Sequence, residues 1–281
     1  MRLGTMKWKN RGKPFVIGLT VVLLFIMLFP FFVMITTMLR SSQEVYISPP
    51  RWIPQAITLK NFVLVWTQYL LAKYFKSSTI IAVGSTVLNL LLSIPAAYAV
   101  ARLRFKGRQL ALYLFLVVQM FSPVIVVIPL FKIFAKLGLL DSYGGLIIIN
   151  AVFSMAFSIW LLSGYFKSIP VEIEEAAFID GATRRQTVMK IILPIAAPGL
   201  VTTSIYTFIS AWNEFLFALS FIQTQDKMPL TLGLYMFVGR WSSQWELLTT
   251  AAFLAVIPVL ALFYVIQQRL VAGLAGGAVK G

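Results

Sequence analysis

The spacing of charges constrains this chain more than any other feature. A helix needs about 20 residues free of unpaired charge to cross roughly 30 Å of hydrocarbon. Six stretches meet that requirement: Pro14 to Leu39, Ser77 to Ala101, Gln109 to Phe131, Ser142 to Phe166, Ile191 to Asn213 and Leu247 to Gln268. Only Glu214 interrupts the fifth before apolar sequence resumes to Gln225. The remaining uncharged runs, Asn61 to Ala72 and Met228 to Gly239, are too short to span. A soluble α/β protein would show strands of about 4 to 8 residues between charged helices, and a membrane β-barrel would show alternating segments of about 10 residues. Neither pattern occurs, and 12% charged residues is half the proportion of an ordinary soluble domain, about 25%.

The expected fold is therefore all-α and integral to a membrane, with six transmembrane helices in a single domain over residues 1–281. The spans are expected at about 15–39, 77–101, 109–131, 142–166, 191–222 and 247–268, with a loop at 167–190 and a tail at 269–281. Six spans put both termini on one side. The N-terminal tail, the loop Arg102 to Arg108, the loop Lys167 to Lys190 and the tail from Arg269 together hold 15 of the 24 basic residues. Basic flanks favour the cytoplasm, so both termini are expected there, and anionic membrane lipid accounts for the net charge of +15 without nucleic acid. The first apolar run is long, and no small-residue cleavage site follows it, so it is expected to remain as a signal anchor.

The chain contains no Cys and no His, which removes thiol nucleophiles, imidazole bases, His-ligated metals and disulfides. It also lacks a Gly-x-x-x-x-Gly-Lys-Ser/Thr loop, whose backbone amides cradle nucleotide phosphates. Any ATP hydrolysis must reside on another chain. Glu214 is the one ionisable group inside a span, a position that is costly in hydrocarbon. Two readings fit it: a carboxylate at a helix end or partnered by another helix, or, with Asn213, a group facing a translocation path.

The loop from Ser168 to Gln186 encodes two short helices with a break. Pro170 suits a first helical position, and Glu172, Glu174 and Glu175 occupy opening turns, where the helix dipole favours negative charge. Gly181 supplies a left-handed stop, and Thr183 with Gln186 forms a capping-box pattern that starts the second helix. Arg184 and Arg185 oppose the dipole at that start. Ile173, Ala176, Ala177 and Asp180 fall on one face by helical spacing. A solvated hairpin and a docking surface both fit these features.

Glu175-Ala176-Ala177, then Gly181, then Ile191-x-Leu193-Pro194 resembles the EAA loop of importer-type ABC permeases in residues and spacing. The likeness covers essentially the whole chain. Ser48 to Pro54 with Thr58 to Phe62, Asp141-Ser142-Tyr143, and Ala211 to Leu216 resemble the smaller permease subunit of maltose-type carbohydrate importers, as does the Gly/Ala-rich ending from Gly273.

The resemblance implies a transport subunit, not an enzyme, in the cell inner membrane. Its partners would be a second permease chain, two ATPase subunits that bind ATP and Mg, and an extracytoplasmic solute-binding protein, with no cofactor on this chain. Glu172, Glu175, Ala176, Ala177, Asp180, Gly181, Arg184, Arg185 and Pro194 would form the ATPase-coupling site. Gly233, Leu234 and Tyr235, in the outer loop Asp226 to Glu246, would contact the binding protein. That loop holds Trp241 and Trp245, which also fit an interfacial aromatic belt. Pro194 and Pro198 are expected places for helix irregularity. The cargo stays open between an oligosaccharide and a solute such as glycerol phosphate, and an ion-coupled secondary transporter is the alternative from another class.

Overall fold

The computed structural model describes residues 13–49, 51–238 and 243–278. The basic N-terminal residues up to Arg11, Arg240 and Trp241 of the outer loop, and the last three residues of the tail lie outside the described residues. Among the described residues all regular structure is helical apart from one bridge, between Val238 and Ser243. It divides into two compact units, Met1–Tyr69 with Phe237–Leu254 and Leu70–Met236 with Ala255–Gly281.

In the first unit, α1 (Lys13–Met38) is apolar on every side, and none of its strongest apolar stretch is buried within the chain. Such a helix requires apolar surroundings all round. Its last carbonyls have no intrahelical donors, and Asn61, buried on α3 (Lys60–Thr67), supplies one for the final residue: its Nδ2 donates to Met38 O and also to Arg40 O, two residues past the helix, both at 2.8 Å. The connecting segment carries the short α2 (Ser42–Val45), where buried Glu44 accepts the Gln55 amide at 2.7 Å. Ser42 Oγ donates to Glu246 Oε1 at 2.5 Å, in the first turn of α14 (Trp245–Ala278), and the Tyr46 hydroxyl donates to Ser243 O.

The second unit is built on α4 (Leu71–Arg102) and α7 (Tyr143–Ser168), which pack along most of their length. Small and polar side chains, Ser78, Ala82, Ser85, Asn89, Ser93, Ala97 and Ala101, form a buried stripe on α4 at helical spacing. Lipid tails are as apolar as leucine, so helices in a bilayer associate through close packing and interhelical hydrogen bonds. Ser85 Oγ and Asn89 Nδ2 make such bonds, donating to Ile147 O at 3.3 Å and Ala151 O at 3.0 Å. A Cβ on Gly84 would collide with Ile147, which shows how close the helices run. Val83, Val87, Leu91 and Leu92 point outward instead, Leu91 being 66% exposed, while Leu71, Ile81 and Tyr98 of the same helix are buried.

Two of the expected crossings are not single helices. The third stretch forms α5 (Arg108–Gln119) and α6 (Pro123–Lys136), separated at Met120 to Ser122. The fifth starts with α9 (Arg184–Thr187), runs through a π-turn at Val188–Ile192 into α10 (Leu193–Ile195), and bends by 79° into α11 (Ala197–Trp212). Pro194 and Pro198 flank the bend at Ala196, and each lacks the amide that a straight helix needs. Among the described residues four helices, α1, α4, α7 and α14, are long and apolar enough to cross a membrane, and the bent pair makes a fifth. The six-helix count therefore depends on treating α5 and α6 as one broken crossing.

Candidate functional site

The loop after α7 folds as α8 (Val171–Ile179) followed by α9. Pro170 stands at the N-cap, not at the first helical position, and Glu172 and Glu174 occupy the first turn. At the other end, Gly181 adopts φ +82°, Ala182 N donates to Ala177 O at 2.9 Å and Gly181 N to Phe178 O at 3.1 Å. This 6→1 and 5→2 pair is the Schellman ending that a residue at positive φ permits. Thr183 and Gln186 then cap α9 reciprocally. Stop and start signals thus lie within three residues.

The faces of α8 differ from the sequence expectation in one respect. Ala177 is buried while Ala176 and Asp180 are exposed, so these three do not share one surface. The exposed side carries Glu172, Glu175, Ala176 and Asp180, with Ile179 87% uncovered, and Gly181, Arg184 and Arg185 continue it. Pro194 is exposed on α10, away from α8 in sequence but on the same bent segment as the arginines.

Glu174 was grouped with its acidic neighbours by the dipole argument, and the structure gives it a separate role. It is buried, accepts the Tyr98 hydroxyl at 2.8 Å, and pairs with Arg102 Nε at 2.5 Å. Arg102 also donates through Nη2 to Ile169 O at 2.7 Å. The loop is thereby bolted to the end of α4. Ile169, Ile192 and Ala196 join Tyr98, Ala101 and Phe166 in one buried apolar cluster, which ties both ends of the loop to α4 and α7. No spacing rule pairs Glu174 with a residue more than seventy positions earlier; the only sequence cue was that Arg102 is the first charge after the second stretch.

Asn213 and Glu214 lie where α11 ends. Glu214 accepts the amides of Phe217 at 2.6 Å and Ala218 at 3.0 Å, capping α12 (Leu216–Phe221). Its helix-end reading is therefore the one the geometry favours, with backbone amides as partners instead of Asn213. Asn213 is exposed, and its Nδ2 returns to Ile209 O at 3.0 Å. Glu214 nevertheless lines a cavity of about 570 Å³ with Gln119, Asn150, Ser154, Tyr206 and Ser210, walled by Phe153 and Phe215. Sequence reading missed these lining residues, although Asn150 stands out as an amide within an apolar stretch.

Gly233, Leu234 and Tyr235 belong to α13 (Leu230–Tyr235), not to an open loop. Gly233 is buried, and a Cβ there would collide with the Tyr74 ring, so it serves packing. Tyr235, 50% exposed, is the member of the three that presents most surface. The Asp141-Ser142-Tyr143 motif braces this end: Ser142 caps α7 through Gly145 N at 3.1 Å, and Asp141 accepts Thr224 N, Thr224 Oγ1 and Lys227 Nζ. The hydrogen bonds from Thr224, with help from Lys227, hold the Asp141 carboxyl well below the usual carboxylate range.

Several known proteins are similar to this chain. Residues 89–276 match the family described as binding-protein-dependent transport system inner membrane component. The sulfoquinovosyl glycerol transport system permease protein SmoH of Agrobacterium fabrum is 37% identical over 96% of this chain and 95% of its own length. The trehalose transport system permease protein SugB of Mycobacterium tuberculosis is 39% identical over 82% of this chain and 84% of its own. The trehalose/maltose transport system permease protein MalG of Thermococcus litoralis is 36% identical over 93% and 94%. Among solved structures, a bacterial ABC transporter involved in the import of the acidic polysaccharide alginate has a chain that aligns over 95% of this one and 99% of its own, with a TM-score of 0.81 at 24% identity. A capped two-helix loop bolted to long apolar helices, on a chain that aligns with these permeases nearly end to end, makes this protein an integral membrane member of the binding-protein-dependent transport system inner membrane component family, a transport subunit of the ABC type.

Proposed function

We propose that this chain is one of two permease subunits of an importer that carries a carbohydrate, an oligosaccharide in particular, by alternating access. The relatives' named cargoes support the carbohydrate: sulfoquinovosyl glycerol, trehalose and diacetylchitobiose. In this reading all of residues 1–281 form one transmembrane domain of six crossings, α5 with α6 being one of them. Both termini and the α8–α9 loop face the cytoplasm. Two ATPase subunits hold ATP and Mg, one of them seated on the exposed side of α8 at Glu172, Glu175, Ala176, Asp180 and Gly181, and a solute-binding protein docks at the opposite face near Tyr235.

The single observation behind the mechanism is the Glu174–Arg102 bolt, 2.5 Å long and buried. A force applied to α8 passes through it to α4, and through α9 and α10 to the bend before α11. The cavity at Glu214 is the proposed path: aromatic rings offer faces to the C–H surface of a sugar, while Gln119, Asn150, Ser154 and Ser210 offer amide and hydroxyl partners to its hydroxyl groups.

Purification of the chain from its native membrane tests the reading. Recovery with an ATPase, a second six-span chain and a sugar-binding protein supports it. Recovery as a lone homodimer with ion-driven uptake overturns it.

A further inference from the structure

Between α4 and the α9–α10 segment runs an apolar groove of about 500 Å³. Its walls are Leu91, Ile94 and Pro95 on α4 and Val188, Met189 and Leu193 on the facing segment, and Arg184 and Arg185 also line it. Along α4 it reaches from Leu90 to Leu103, about 20 Å by helical rise and thus comparable to the half-thickness of a bilayer core, about 15 Å. Leu91 is 66% and Met189 58% exposed, so the groove is uncovered along its apolar length.

The charge of the groove is one-sided. Among the described residues no acidic side chain lines it, and neither Arg184 nor Arg185 has a carboxylate within ion-pair distance. The neighbouring cation, Arg102, is already committed to Glu174. Because α9–α10 turns 79° from α11, it lies near the membrane plane when α11 crosses. Two guanidinium groups therefore stand at headgroup depth beside an apolar channel that descends along α4. Guanidinium groups match phosphate geometry in a bidentate manner, and basic pockets beside transmembrane helices on the cytoplasmic side select anionic lipid headgroups.

We infer that this groove is a binding site for an anionic diacyl phospholipid, its phosphate on Arg184 and Arg185 and an acyl chain against Leu91, Ile94 and Met189. The occupant is a lipid, because a free phosphate would use the arginines and leave the apolar wall bare, whereas the ATPase dock lies on α8. The inference rests on the proposed cytoplasmic position of the loop. It also gives Arg184 and Arg185 a role other than the ATPase contact that the sequence suggested. Tyr98 lines the groove while its hydroxyl is held by Glu174, so the lipid would press on the bolt that carries the stroke.

The test uses the purified assembly in nanodiscs of phosphatidylglycerol and phosphatidylcholine, followed by mass spectrometry of the lipid retained after detergent exchange. Wild type should retain phosphatidylglycerol with a preference of about thirtyfold, the product expected of two cations at headgroup depth. R184Q/R185Q should bring the preference close to unity with the ATPase still attached, and R184K/R185K should restore part of it. Leu91→Trp, which fills the channel and leaves the charges intact, should reduce retention of both lipids. The inference is overturned by equal retention in wild type and R184Q/R185Q, by full displacement with inorganic phosphate, or by loss of the ATPase from R184Q/R185Q with lipid retention unchanged. A cysteine introduced as Ala182→Cys and labelled with an impermeant maleimide reports the sidedness separately. Labelling from outside the cell would sink the proposed orientation, and the lipid result would still read on the groove.

Discussion

The Glu174–Arg102 contact allows a quantitative test. Both side chains are nearly enclosed, with 6% and 9% of their surface exposed, and Tyr98 and Ile169 O complete the set of hydrogen bonds. Removing one member of such a pair leaves an uncompensated charge and costs about 3 to 5 kcal/mol. For a chain of this size 1 kcal/mol corresponds to roughly 2 to 4 °C, so Glu174→Ala and Arg102→Ala should each lower the melting temperature of the purified assembly by about 10 °C. The double variant leaves neither charge stranded, and its loss should fall short of the sum of the single losses by a coupling energy of about 2 kcal/mol. Melting followed by tryptophan fluorescence in detergent gives the three values. Uptake and ATP hydrolysis, measured together in vesicles, should show Glu174→Gln hydrolysing ATP with a reduced yield of transported sugar. Simple additivity of the two single losses, or an unchanged yield, would refute the bolt.

Other substitutions test the surrounding elements. Glu175→Lys, on the exposed side of α8, should leave membrane insertion intact and weaken ATPase association in co-purification; Gly181→Ala, at φ +82°, should cost about 1 to 2 kcal/mol and lower the yield of transport per ATP. Bonds from Thr224 hold Asp141 below an unfolded value near 3.9, so its contribution is complete at neutral pH and is lost as pH falls through the lower folded value. Asp141→Asn should therefore lower the melting temperature at pH 7 and make progressively less difference in melts taken below about pH 4. Gly233→Val should reduce the amount of folded protein recovered, since its side chain meets the Tyr74 ring, whereas Tyr235→Ala should leave recovery unchanged and reduce binding-protein affinity in a titration.

Much of this fold is legible because hydrocarbon imposes one rule along the whole chain. The apolar middles of α1, α4, α7 and α14 follow from where charges stop, although α4 begins before Lys73 and Lys76 and α14 continues past Arg269 into the Gly/Ala-rich tail. Local backbone signals read well too: Gly181, Thr183 and Gln186 do in the structure what their types prescribe. Three features escaped for a common reason. The Glu174–Arg102 pair, the packing of Gly233 on Tyr74 and the cavity at Asn150 all depend on residues far apart in the chain. Local pattern holds no record of such pairings. The break between α5 and α6 passes a test of charge alone, because Met120 to Ser122 are uncharged; its signal is the helix start at Ser122 and Pro123, which that test ignores.

The loop between α8 and α9 shows what such a junction must avoid. A linker with unsatisfied amides and carbonyls would yield under load, and each yielding bond would absorb part of the motion. Here the end of α8 is closed by the bonds from Gly181 and Ala182, and the start of α9 by Thr183 and Gln186. The corner is an elbow whose two ends are closed by bonds of its own, so a displacement that reached α8 would not be lost to fraying at the turn.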